Sequence, residues 1–317
     1  MTVVYLLTSL FLSMLSARSI SIPTAVSLIL GELIVVIPGL CFLILFRCDL
    51  LEWMPFKKVK KSTIAFTALI TLTIMPFLYF LNIVSQLFET NVALDLLTKV
   101  DEVPGIVVFF IIGIFGPVCE EIAFRGILFS GFKKSGRIFA AIIWSGLLFG
   151  LFHMNLNQFG YACAIGIISA LLIEATGSIW PSITMHVIIN SYNVLQLYIS
   201  QFVYGLMGTD IEELVSSEEI ISKTNLIIMA AFLLIPAAGG MAVSVVIYNA
   251  IMKREGRKEY VLSILPHKKK DKAAYEETTE GEKKPQVFSF SGIVGVLICL
   301  FVIFAFEIIV KKISGSV

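Results

Sequence analysis

The sequence predicts an all-α protein. The expected architecture is a polytopic bundle of about eight to nine transmembrane helices with a polar site inside the membrane. Two observations predict the bundle. Apolar residues make up 57% of the 317 residues and charged residues only 15%, with mean hydropathy +0.92, whereas soluble domains are about a quarter charged. Apolar runs also recur that exceed the roughly 18 residues of a bilayer span. A third observation predicts the site. A few ionisable side chains sit inside those runs, where charge is costly and marks function by default.

The apolar segments follow in order at 3–16, 24–46, 63–88, 105–131, 138–153, 159–175, 179–200, 224–248 and 288–310. The first is short and reads as an uncleaved helix. A signal peptide cut near "LSARS" is the alternative. Residues 1–103 hold the N-terminal transmembrane helices and an amphipathic connector, and 104–200 form a motif-bearing core. An acidic loop and a helix occupy 201–250, a charged polar loop 251–287, and a last helix 288–317. Within that polar loop, 252–287 carries ten basic residues and reads as solvated and mobile. Attraction to anionic lipid is a secondary role for it.

Basic loops stay on the cytoplasmic side. Arg47, Lys57, Lys58, Lys60 and Lys61 mark loop 47–61, and Lys133, Lys134 and Arg137 mark hairpin 131–137. These loops and 252–287 alternate with basic-poor ones, which puts the N-terminus inside. Lys311 and Lys312 fit this pattern less well. The net charge of +1 gives no sign of a nucleic-acid partner. Cys41, Cys48, Cys119, Cys163 and Cys299 lack paired spacing, so neither a disulfide framework nor a thiolate metal site is expected.

The segment "GPVCEEIAFRG", 116–126, concentrates the charge. Glu121 and Arg125 are four apart with Glu first, the favourable order for a helical ion pair. Glu120 is turned about 100° from Glu121, so it can face elsewhere. Gly116-Pro117 removes a helical hydrogen bond and predicts a kink. "FGLFH" places Phe149 and His153 one turn apart, and "HVIIN" does the same for His186 and Asn190. Taken singly, such pairs read as hydrogen-bonding glue between membrane helices. Glu174 ends another apolar segment, Glu32 and Glu307 stand isolated on theirs, and His267 lies in the charged loop.

Depth allows the motif residues to meet. With hairpins 131–137 and 176–178 on one side, ~1.5 Å per residue puts Glu120 about 15 Å deep, His153 about 22 Å, His186 about 10 Å and Asn190 about 16 Å. A carboxylate beside a neutral imidazole can hold and deprotonate a water. A second His with an Asn can donate hydrogen bonds to an oxyanion. Those parts suffice to hydrolyse an amide without a covalent intermediate. No G-x-S-x-G is present, and the Cys119 side chain points about 100° away from Glu120. A zinc site of His153, His186 and one glutamate is the competitor, although H-E-x-x-H is absent.

"EEIAFR" (Glu120–Arg125), "FGLFH" (Phe149–His153) and "HVIIN" (His186–Asn190) resemble, in order, E-E-x-x-x-R, F-x-x-x-H and H-x-x-x-N. These are the signatures of the CAAX protease and bacteriocin-processing family, CPBP or Abi, which includes the type II CAAX prenyl endopeptidases. The match covers about residues 104–197.

The resemblance implies an intramembrane glutamic endopeptidase that needs no cofactor. Glu120 with His153 would activate water, and His186 with Asn190 would form the oxyanion hole. Glu121, Arg125 and Phe149 would support the site. The implied partners are the lipid bilayer and a membrane-associated protein or peptide, lipidated or not. In the eukaryotic branch that substrate is a prenylated protein. Prokaryotic members look more diverse, with suggested roles in peptide maturation and bacteriocin self-immunity. CAAX processing needs a cytosol-facing site, whereas the charge pattern places His153 towards the outer face. The alternative from another class is a catalytically silent membrane adaptor or immunity protein. A transporter fits less well, because no discontinuous repeat pair is visible.

Overall fold

The structure is a computed structural model that describes residues 23–88, 103–208 and 222–265. Among these residues every regular element is helical. In chain order they are α1 (Thr24–Leu45), α2 (Leu50–Trp53), α3 (Lys61–Gln86), α4 (Gly105–Lys133), α5 (Ile138–Phe152), α6 (Leu156–Thr176), α7 (Trp180–Leu206), α8 (Lys223–Arg254) and α9 (Lys258–Ile264). Helices α1, α3, α4, α6 and α8 are long and apolar enough to cross a membrane. The chain is a multi-pass integral membrane protein. Helix α5 is apolar but has only 15 residues, short of the roughly 20 that a straight span needs. The expected segments 3–16 and 288–310 lie outside the described residues, as do Glu307, His267 and Cys299.

Local chemistry sets the helix ends. The Asn155 side chain accepts from Gln158 N and starts α6. Gly177, with φ +70°, closes the same helix and returns its N–H to Ile173 O. Ser222 caps α8 by accepting from Asn225 N. Pro181 sits in the first turn of α7, where its missing N–H costs nothing.

Small residues bring the helices close. Gly146 and Gly150 form a G-x-x-x-G face on α5. A Cβ on Gly166 of α6 would come within 2.7 Å of the Gly146 Cα and 3.1 Å of Arg125 Nη2. Gly166 thus admits both helix α5 and the guanidinium of α4. On the far side, α3 lies along α8, and Thr73 Oγ1 meets Ser244 Oγ at 2.7 Å.

Among the described residues, three of the four chain turns at one end of the bundle are basic. Ser178 Oγ donates to Lys57 O at 2.5 Å, Ile179 N to Pro55 O at 3.0 Å, and Arg257 Nε to Glu174 O at 2.7 Å. Loops 54–60, 131–137, 177–179 and 255–257 therefore share one face. The reading of 251–287 as a charged loop needs correction at its start. Helix α8 continues to Arg254, and α9 follows at once with Val261 buried. The apolar "YVLSI" finds cover, and Tyr260 Oη donates to Glu174 Oε2 at 2.5 Å. Burial, and the bond donated to Glu174, raise the Tyr260 hydroxyl well above its ordinary pKa. Residues 266–287 lie outside the described residues.

Candidate active site

The site forms where α4 and α7 run antiparallel, with α5 across them. Helix α4 is continuous but changes pitch. Wider π-helical turns occupy Phe109–Phe115 and Ile122–Phe129, on either side of the turn Gly116–Glu121 that carries the glutamate pair. Pro117 accounts for part of this. Gly116 N–H reaches Ile111 O, five residues back. Pro117 has no N–H to give to the next carbonyls, Ile112 and Gly113. Helix α7 supplies the missing donors. Asn190 Nδ2 donates to Ile112 O at 3.2 Å, and Ser191 Oγ to Gly113 O at 3.1 Å. The kink expected at Pro117 is a widened helix whose freed carbonyls bind the neighbouring helix.

One turn further along, the same helix pair meets at Glu121. This carboxylate is fully buried. It accepts from Ser182 Oγ and contacts His186 Nδ1 at 2.9 Å. Arg125 Nε lies 3.4 Å from it, and the guanidinium carbon sits 4.3 Å from the Phe149 ring centre. Among the described residues no side-chain nitrogen of Arg125 makes a hydrogen bond. The guanidinium is thus held by charge and by the aromatic face. Ser182, His186 and Asn190 are spaced by four and form one stripe of α7.

Glu120 faces the other side of His186. Its Oε2 lies 3.5 Å from His186 Nε2, is buried, and makes no hydrogen bond among the described residues. With the His186 Nδ1–H given to Glu121, Nε2 accepts in the neutral ring and donates only in the imidazolium. His153 Nδ1 contacts Phe149 O at 2.9 Å. The Phe149 ring stands edge-on to both imidazoles, with centroids 4.9 Å from His153 and 5.6 Å from His186. His153, His186 and Arg125 thus gather around Phe149. Among the described residues, however, no hydrogen bond or ion pair joins Glu120 to His153, and the imidazole against Glu120 is His186.

Three participants were not assigned from sequence. Glu32 stood isolated on α1, yet its Oε1 lies 2.9 Å from where a Gly116 Cβ would be. Its Oε2 is buried and makes no hydrogen bond among the described residues. An α1–α4 contact is tertiary and leaves no local signal. Ser182 was legible four residues before His186, and Ser191 as the residue next to Asn190. Glu174 is structural, because Lys133 and Tyr260 hold it at the basic end. Among the described residues no three His, Cys, Asp or Glu side chains are grouped as metal ligands.

The helices that build this constellation coincide with a known family signature. Residues 102–192 match the family model "Type II CAAX prenyl endopeptidase Rce1-like". All three motifs fall inside this Rce1-like segment. Over 82 residues the chain is 34% identical to the Bacillus subtilis (strain 168) protein named "Putative membrane peptidase YdiL". That alignment covers 26% of this chain and 34% of YdiL, so the chain spans about a third of that relative. No solved structure matches the chain.

Proposed function

We propose that the protein is an intramembrane endopeptidase that cleaves a peptide bond in a membrane-associated protein or peptide without a metal. The Rce1-like match and the relation to YdiL support the protease reading. The observation that carries the residue assignment is the buried carboxylate oxygen of Glu120 beside His186, which makes no hydrogen bond among the described residues.

In this reading Glu120, with His153, takes a proton from a water whose oxygen attacks the scissile carbonyl. The oxyanion of the tetrahedral intermediate accepts from His186 Nε2, which donates as the imidazolium, and from the second amide hydrogen of Asn190. The first of those hydrogens is engaged by Ile112 O. Collapse breaks the C–N bond, and the proton held by Glu120 passes to the leaving amine. Glu121 and Arg125 position the base and the imidazole and touch no substrate.

Cleavage of a membrane-presented peptide by purified protein in liposomes tests the assignment. Glu120→Gln and His153→Ala are each expected to lower the rate by about 10²–10⁴-fold. Full activity in either variant would refute that residue's role. Strong inhibition by a chelator, reversed by zinc, would replace this mechanism with the metal-dependent one. The adaptor reading draws on Asn190, whose observed bond is a helix-packing bond. It predicts that Glu120→Gln leaves the biological phenotype intact.

A further inference from the structure

The basic end of the bundle contains a cleft unrelated to the glutamate site. It measures about 430 Å³, and its lining includes Lys57, Ser130, Lys133, Lys134, Gly177 and Arg257. Four of these are cations, and no carboxylate is among the lining residues, although Lys133 also pairs with the buried Glu174 behind them. The lining residues come from four separate chain segments: the α2–α3 loop, the end of α4, the α6–α7 turn and the α8–α9 turn. Gly177 has φ +70°, and a Cβ there would lie 3.3 Å from Arg257 Nη1. The left-handed turn and the missing side chain together admit the guanidinium. Arg257 is oriented by its Nε bond to Glu174 O at 2.7 Å and by the Tyr260 ring 4.4 Å away. Lys134 lies 4.3 Å from the centre of the Trp53 ring.

The level of the cleft in the bundle identifies its surroundings. Helices α1, α4, α6 and α8 end at this face, and α3, α5 and α7 begin there. The exposed Phe56 and Trp180 pack beside it with ring centroids 5.8 Å apart. Aromatic side chains at the ends of spans mark the headgroup level. Basic clefts between transmembrane helices at that depth suit anionic headgroups, and a fork of guanidinium and ammonium donors suits phosphate oxygens.

We infer that this cleft binds a phosphate group, carried by an anionic lipid of the adjoining leaflet or by a soluble phosphate. Lys57 lines the cleft and is exposed, and its neighbour Lys58 is exposed but does not line it. The two therefore form a charge-matched pair of variants.

The full chain in detergent would be titrated with phosphatidylglycerol, phosphatidylcholine and inorganic phosphate, and bound ligand read by native mass spectrometry. Preferential retention of phosphatidylglycerol is expected, weakened about tenfold in Lys57→Gln and unchanged in Lys58→Gln. That result supports the site and assigns a lipid headgroup. Inorganic phosphate binding as tightly as the lipid, with the same loss in Lys57→Gln alone, supports the site and assigns a soluble anion. Equal weakening in both variants would show diffuse charge attraction and overturn the inference. So would failure to prefer either anionic ligand over zwitterionic phosphatidylcholine, or binding unaltered by Lys57→Gln.

Discussion

Glu121 meets Ser182, His186 and Arg125 in a space that solvent does not reach. Removing one partner of a buried ion pair leaves the other charge uncompensated, at a cost of about 3–5 kcal/mol. Arg125→Ala is therefore expected to lower the thermal unfolding temperature in detergent sharply, and Glu120→Gln to leave it nearly unchanged. Equal destabilisation by the two would contradict the division between a supporting and a working glutamate. The ion pair was legible in the sequence, because Glu-x-x-x-Arg spacing gives it and turns the adjacent residue away. The partner of Glu120 was not legible. Spacing puts His153 and His186 on faces of their own helices but does not say how those helices are rotated, so the contact with His186 emerged only from packing.

Pro117 and the α7 stripe form a unit at the level of elements. The proline withholds a donor from Ile112 and Gly113, and Asn190 and Ser191 supply donors from the next helix. Ser191→Ala leaves a carbonyl without its partner, and the expected loss is about 1–3 kcal/mol. In a Pro117→Ala background the restored N–H competes for the same carbonyls, so the loss should shrink. A double-mutant cycle by thermal unfolding checks this, and strict additivity would refute the link. Close approach is a second device. A Cβ on Gly146 would stand 3.0 Å from Ile167 N and 3.1 Å from Cys163 O, and backbone cannot move aside as a side chain does. Gly146→Leu should separate α5 from α6, lower stability and reduce activity through the displaced Phe149 and His153, as read by unfolding temperature and cleavage rate. An unchanged rate would contradict this coupling. The apolar runs located these helices to within a few residues. The widened turn before Pro117 escaped the sequence because its freed carbonyls are met by donors from α7.

Over the whole molecule, charge and apolarity sort to different places. The basic turns share one end, Glu120 and Glu121 lie within the span of α4, and His153 closes α5 at the end away from the basic hairpin. Loop composition foretold the first of these, since Lys and Arg between spans repeat with the alternation of sides. It did not foretell α9, whose few apolar residues gain cover only by packing on the end of α6. The most direct test compares membrane peptides and protein termini in cells carrying the wild-type chain or Glu120→Gln at equal abundance. Uncut precursors should accumulate, and their cleavage products disappear, in the Glu120→Gln cells. Identical profiles in the two would contradict the claim that this carboxylate activates water for proteolysis.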